Sequence, residues 1–118
     1  MITETQRVKI QDLITSCKDD KLKAIIESAF QKWLSGKVNP RQHNYGVWGS
    51  VGEWESFEGE CCLIGAALID KPRLIAPYED ALHYFKVEPA ELDSYIFGFD
   101  GRESNETVTE LRKILFGH

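Results

Sequence analysis

The chain has 118 residues, 42% hydrophobic and 28% charged, with a formal net charge of −5 and a pI near 5.2. That length suits one domain able to bury roughly 65% of its unfolded surface, so neither a disulfide framework nor a structural metal is required for folding. An acidic chain is repelled by phosphates, which excludes nucleic-acid binding unless a basic face is set apart locally.

Charge is in fact uneven along the chain. Residues 1–42 carry eight Lys/Arg against five Asp/Glu, net +3, whereas residues 43–118 carry six against fourteen, net −8. The three cysteines are an odd number, and Cys61 and Cys62 are adjacent, which makes them poor disulfide partners for each other. The opening Met1-Ile2-Thr3-Glu4-Thr5-Gln6 has neither the basic start nor the apolar run of a signal peptide, so the expected location is the reducing cytoplasm.

Thr3-Glu4-Thr5-Gln6 is a capping box, in which the threonine hydroxyl accepts an early backbone N–H and Gln6 reaches back. A helix is predicted behind it, with Ile10, Leu13, Ile14 and Cys17 forming one apolar stripe. After the polar break Lys18-Asp19-Asp20, one of the two aspartates caps a second helix. Its stripe of Leu22, Ile25, Ile26, Ala29, Phe30, Trp33 and Leu34 closes at Ser35-Gly36, where glycine suits a left-handed C-terminal residue. The two helices are expected to form an antiparallel hairpin.

Gly36 to Phe57 lacks helical period and is long for a connection inside a small domain. Tyr45, Trp48, Trp54 and Phe57 offer too much apolar surface for disorder, and Gly46, Gly49 and Gly52 permit sharp turns. The expectation is an ordered, aromatic, glycine-rich loop with a short hairpin of Tyr45–Trp48 against Glu53–Phe57.

Gly59 to Ile69 is predicted to be the central helix. Cys61, Gly65 and Ile69 recur every four residues, as do Cys62 and Ala66, and Leu63, Ile64 and Leu68 fill the other sides, so the segment is apolar all round and buried. Its uncharged run, the nine residues from Cys61 to Ile69, reaches only ~13 Å at 1.5 Å each, far short of a membrane span. Asp70-Lys71-Pro72 ends this helix and Pro77 opens the next, with Ala81, Leu82 and Phe85 apolar through Lys86. Pro89 starts a helix over Ala90–Phe97, which Gly98-Phe99-Asp100-Gly101 is expected to stop. Thr107-Val108-Thr109-Glu110 reads as a capping box for a last helix with Val108, Leu111, Ile114, Leu115 and Phe116 apolar.

No complete catalytic, metal or phosphate motif accompanies these elements. A thiol at a helix N-terminus can be acidified by the helix dipole, and Cys61 and Cys62 occupy such a place, with His43 and His83 as the available bases. The glycine-acid-cysteine lead into a small-residue helix resembles the nucleophile helix of papain-like enzymes, but those draw their histidine from a sheet that this sequence does not predict. Zinc is opposed by spacing, because adjacent cysteines on a helix diverge by about 100°. Gly46, Gly49 and Gly52 lack the flanking strand and the Gly-Lys-Ser/Thr of a phosphate loop. Ala81–Ile96 has the outline of a helix-turn-helix, yet its second helix offers Glu88, Glu91 and Asp93 where a recognition helix carries Arg, Asn, Gln or Lys.

The strongest surface feature is the aromatic loop with its acidic flank. Glu53, Glu55, Glu58 and Glu60 surround Trp54 and Phe57, and no Lys or Arg occurs between Gln42 and Lys71. Trp and Tyr are the types that anchor interfaces, so this composition suits a basic or mixed protein partner.

Gly59 through Leu68, with Cys62-Leu63-Ile64-Gly65-Ala66 at its middle, followed by a short helical hairpin and Gly98-Phe99-Asp100-Gly101, resembles a group of small bacterial and phage proteins of unknown function. The resemblance covers about half the chain. It implies a helical fold and a bacterial or phage setting, and carries over no activity or functional residue.

The sequence thus reads as a mainly α, single compact domain over residues 1–118, with about six helices around the 59–69 helix. Its expected role is that of a cytoplasmic, non-enzymatic protein-binding or regulatory module. Tyr45, Trp48, Glu53, Trp54, Glu55 and Phe57 are the candidate binding residues for an unidentified protein partner, with no cofactor, metal, nucleic acid or membrane expected. A cysteine-dependent enzyme using Cys61 or Cys62 and a helix-turn-helix regulator are the alternatives.

Overall fold

Thr3 opens α1 (Glu4–Ser16) through the predicted reciprocal bonds: its Oγ1 accepts the Gln6 N–H at 3.1 Å, and Gln6 Oε1 accepts the Thr3 N–H at 2.9 Å. Ile10 and Ile14 are buried and Leu13 is half-buried. Of the two candidate caps for α2 (Asp20–Leu34) it is Asp19 that acts, its Oδ1 accepting from the N–H groups of Lys21 and Leu22. The whole predicted stripe of α2 is buried except Leu34, which is 42% exposed. Gly36 follows in the left-handed region at φ +75°, as a helix stop requires.

Residues 2–43, 47–48, 54–55 and 59–118 are those that the computed structural model describes. Among the described residues between α2 and the next helix are four two-residue strands: β1 (Asn39–Pro40), β2 (Val47–Trp48), β3 (Trp54–Glu55) and β4 (Glu60–Cys61). β2 pairs antiparallel with β3, which places the expected hairpin inside its predicted limits. β1 pairs in parallel with β4, Asn39 opposite Glu60 and Pro40 opposite Cys61, a pairing with no signal in the local sequence.

That parallel pair shortens the central helix. α3 runs only from Leu63 to Leu68, rather than from 59 or 61, because the ladder holds Cys61 extended while its carbonyl accepts the Arg41 N–H at 3.1 Å. Cys62 is therefore the N-cap, its carbonyl taking the first helical bond from Ala66 at 2.9 Å. Burial is as the sequence predicts, with every residue from Cys61 to Ile69 inside. α4 (Pro77–Phe85) starts at Pro77 and ends at Lys86 in the left-handed conformation, and α5 (Pro89–Asp100) starts at Pro89.

α5 does not stop at Phe97. It continues through Gly98 to Asp100, and the cap is Gly101 at φ +131°. Continuing the helix brings Phe99 to 1% exposure and stacks its ring on Trp33 at 6.2 Å, a burial worth ~1.5–3 kcal/mol against the ~1 kcal/mol that a helical glycine costs. Gly98 serves packing instead: a Cβ there would meet Val108 Cγ1 at 3.2 Å, tighter than an ordinary contact, so glycine lets α5 approach α6 (Glu106–Phe116) without pushing that side chain aside. The cap of α6 is also displaced from the predicted Thr107 box. Asn105 Oδ1 accepts the Val108 N–H at 3.1 Å, which sets the helix two residues earlier and turns Val108 and Leu111 into the core.

α3 lies chiefly against α2, bridged by the Ser28 hydroxyl donating to the Ala67 carbonyl at 3.1 Å, and α5, α6 and α1 pack in succession around them. The rings of Trp33, Phe99 and Phe116 link α2, α5 and α6, with Phe116 edge-on to Phe99 at 5.5 Å. The radius of gyration is 13.0 Å, near the ~13.5 Å of one compact body of this length. Among the described residues no helix is long and apolar enough to cross a membrane.

Candidate functional site

β1 and β4, the two feet that flank the segment carrying the candidate binding residues, are fixed side by side. Asn39 N–H donates to Gly59 O at 2.7 Å, and Arg41 faces Glu60 with 3.4 Å between guanidinium and carboxylate. The outgoing foot is fastened a second time, to the end of α5. Gln42 Nε2 donates to the Phe99 carbonyl at 2.9 Å, the His43 N–H donates to Asp100 Oδ1 at 2.9 Å, and His43 Nδ1 lies 3.4 Å from Asp100 Oδ2.

Two locally unfavourable choices meet in that contact. His43 takes the left-handed conformation at φ +60°, which costs a residue with a Cβ, and Asp100 places a carboxylate at the negative end of a helix dipole. Each is offset by the other: the carboxylate accepts the N–H that the left-handed turn presents to it. Sequence reasoning missed Gln42, His43 and Asp100 as anchors. A 57-residue separation hides the contact, and with the helix expected to stop at Phe97 nothing in the local sequence marked Asp100 as a last-turn acid.

Beyond these feet, the candidate binding residues fall into two groups. Trp48, Trp54 and Glu55 lie on the paired strands, with Trp48 directly opposite Trp54 in register and Glu55 opposite Val47. Tyr45, Glu53 and Phe57 lie outside the described residues, as do Gly46, Gly49 and Gly52.

Beneath the returning foot, Cys61 is fully buried and Cys62 is 5% exposed. Burial pushes the Cys61 thiol up to about 12, with the neighbouring Cys62 adding to the effect. Burial likewise raises Cys62 to about 11; the N–H groups of Gly65 and Ile64 oppose this, and the Asp100 carboxylate reinforces it. Both thiols are protonated at neutral pH and pack as small apolar groups. His83 stands on α4, exposed and edge-on to Tyr84 at 5.2 Å. Among the described residues no three of His, Cys, Asp and Glu converge to hold a metal ion.

The helical pair α4 and α5 forms the predicted hairpin, but its second helix opens on carboxylates occupied by internal bonds. Asp93 accepts the Tyr78 hydroxyl at 2.8 Å, and Glu91 accepts the Glu88 N–H at 3.3 Å. No family model, no curated protein and no solved structure matches this chain.

Proposed function

We propose that the protein is a non-enzymatic binding module that engages a protein partner through the hairpin between β1 and β4. The observation supporting this is the double fixation of the segment's feet: a parallel strand pair on one side, and the Gln42 and His43 bonds to the end of α5 on the other. Fixing the base of a loop lowers the entropy lost when it binds, which is how rigid scaffolds present recognition loops. The sequence of the segment supplies the chemistry, with two tryptophans at one paired position and glutamates on either side. Tryptophan anchors carry most of an interface's energy and flanking carboxylates steer a basic or mixed surface toward it.

Affinity purification of the full chain followed by mass spectrometry, repeated with Trp48→Ala and Trp54→Ala, tests the reading. A partner whose affinity falls by more than ~1 kcal/mol in each variant, with folding stability little changed, is the expected result. If both variants instead lose several kcal/mol of stability, the indoles belong to the core and the reading fails.

A further inference from the structure

α1 and α6 are neighbours, and the groove between them is open to solvent. At one end of it Gln6 Nε2, near the start of α1, donates to the carbonyls of Ile114 and Leu115, near the end of α6, at 3.2 and 3.3 Å. From that junction the groove is lined by Lys9, Asp12, Leu13 and Ser16 going up α1, and by Ile114, Lys113 and Glu110 going back down α6, so the two helices run in opposite directions. Its volume is about 500 Å³, and the half-buried Leu13 and Ile114 supply its apolar part. Val8, 45% exposed and one turn before Asp12, widens the apolar strip on the α1 side.

Charge is sorted along this groove. Lys9 lies one turn from Gln6, and Lys113 is next to Ile114, so both ammonium groups belong to the junction end. Asp12 and Glu110 each lie one turn further from it on their own helices. Among the described residues none of these four side chains is engaged in an ion pair. Neighbouring charges preserve the polarity: Glu4 and Arg7 answer each other beyond the basic end, Glu106 adds a carboxylate one turn beyond Glu110, and Lys18 past the acidic end is followed by Asp19 and Asp20.

We propose that the α1–α6 face is a self-association surface, on which a second copy of this chain docks across a two-fold axis. In such an isologous contact every pairing occurs twice, so a surface with a basic end and an acidic end is complementary to itself once turned end for end. The second copy brings its Asp12 and Glu110 to Lys9 and Lys113 of the first and receives the reverse. Repulsion between like charges sharing one end becomes attraction between chains, while Val8, Leu13 and Ile114 of both copies close the strip between two antiparallel helix pairs. Other occupants fit less well. A polyanion or an anionic bilayer meets two carboxylates, and a helix of single charge sign is repelled at one end. With so short an apolar strip the dimer is weak and depends on its charges.

Sedimentation velocity of the full chain at concentrations up to about 1 mM tests the proposal. A reversible monomer–dimer equilibrium is expected, weakening as salt is raised to about 1 M. Lys9→Glu with Lys113→Glu, and separately Asp12→Lys with Glu110→Lys, should each weaken association at least ~10-fold. An equimolar mixture of the two double variants, one of them labelled, should regain a dimer with one copy of each. All four positions are exposed, so both variants should melt close to the unchanged chain; the single reversals Lys9→Glu and Asp12→Lys should follow the same pattern with smaller effects. A chain that stays monomeric throughout, a dimer indifferent to both reversals, or a mixture that stays monomeric would each overturn the proposal.

Discussion

The Tyr95 hydroxyl, on α5 and only 1% exposed, donates to Asp19 Oδ2 at 2.8 Å, while Oδ1 of the same carboxylate caps α2. One side chain therefore fixes both a helix start and the seat of a helix 76 positions away. Tyr95→Phe should cost ~0.5–1.5 kcal/mol, measured by urea unfolding. Burial, and after it the Asp19 carboxylate, raises the Tyr95 phenol above its ordinary value, so the native state keeps a proton that the unfolded chain loses. That stability is fully present below about pH 10, the value for a free tyrosine, and declines above it, and Tyr95→Phe should remove this part of the alkaline decline.

The two thiols act in the same direction at lower pH. With Cys61 near 12 and Cys62 near 11 in the folded state, their contribution is complete below about pH 8.5 and is lost progressively as pH rises toward those values. Native protein should react with iodoacetamide at neutral pH far more slowly at Cys61 and Cys62 than at the half-buried Cys17. Rapid alkylation of either buried thiol near pH 6 would restore the cysteine-enzyme reading.

Gly98→Ala should destabilise by ~1 kcal/mol even though alanine is the better helix former, because the new Cβ would meet the stiff, buried Val108 side chain at 3.2–3.3 Å. In a double-mutant cycle with Val108→Ala the costs should fall short of additive, since the smaller side chain leaves room. Strict additivity would mean that the two residues do not constrain each other.

Asp100→Ala should loosen the outgoing foot of the hairpin at a net cost of ~1 kcal/mol, the lost charge-assisted bonds outweighing the ~0.3–1 kcal/mol gained by removing an acid from a helix C-terminus. Hydrogen exchange at the His43 amide is the direct readout. Asp100→Asn retains an acceptor for that amide and should recover most of the protection.

Arg112 lies buried among main-chain acceptors, donating to the carbonyls of Gly98 and Arg102 from one nitrogen and to that of His118 from another. Arg112→Met should cost at least ~2 kcal/mol, and Arg112→Lys should not rescue it, because one ammonium cannot reproduce the planar fork. Thermal melts of the two variants should nearly coincide.

Local chemistry was enough to predict that the helices exist, though not the limits of α3, α5 and α6. Thr3 with Gln6, the stripe from Leu22 to Trp33, and Pro77 and Pro89 at first turns each act within a few residues, so composition and spacing carry them directly. The apolar run from Cys61 to Ile69 likewise announces its own burial. Its exact conformation belongs to the tertiary structure, because Cys61 is drawn into a ladder opposite Pro40 by the Arg41 N–H, and no local pattern encodes that pairing. Gly98 and Asp100 carry the same lesson. Gly98 to Gly101 reads as a helix stop and a turn until Val108 and His43 are brought against Gly98 and Asp100, and the hairpin is anchored by the second of those contacts. Short-range preferences amount to about a kilocalorie each, whereas a buried phenylalanine or a satisfied carboxylate outweighs them, so tertiary contacts prevail wherever the two disagree.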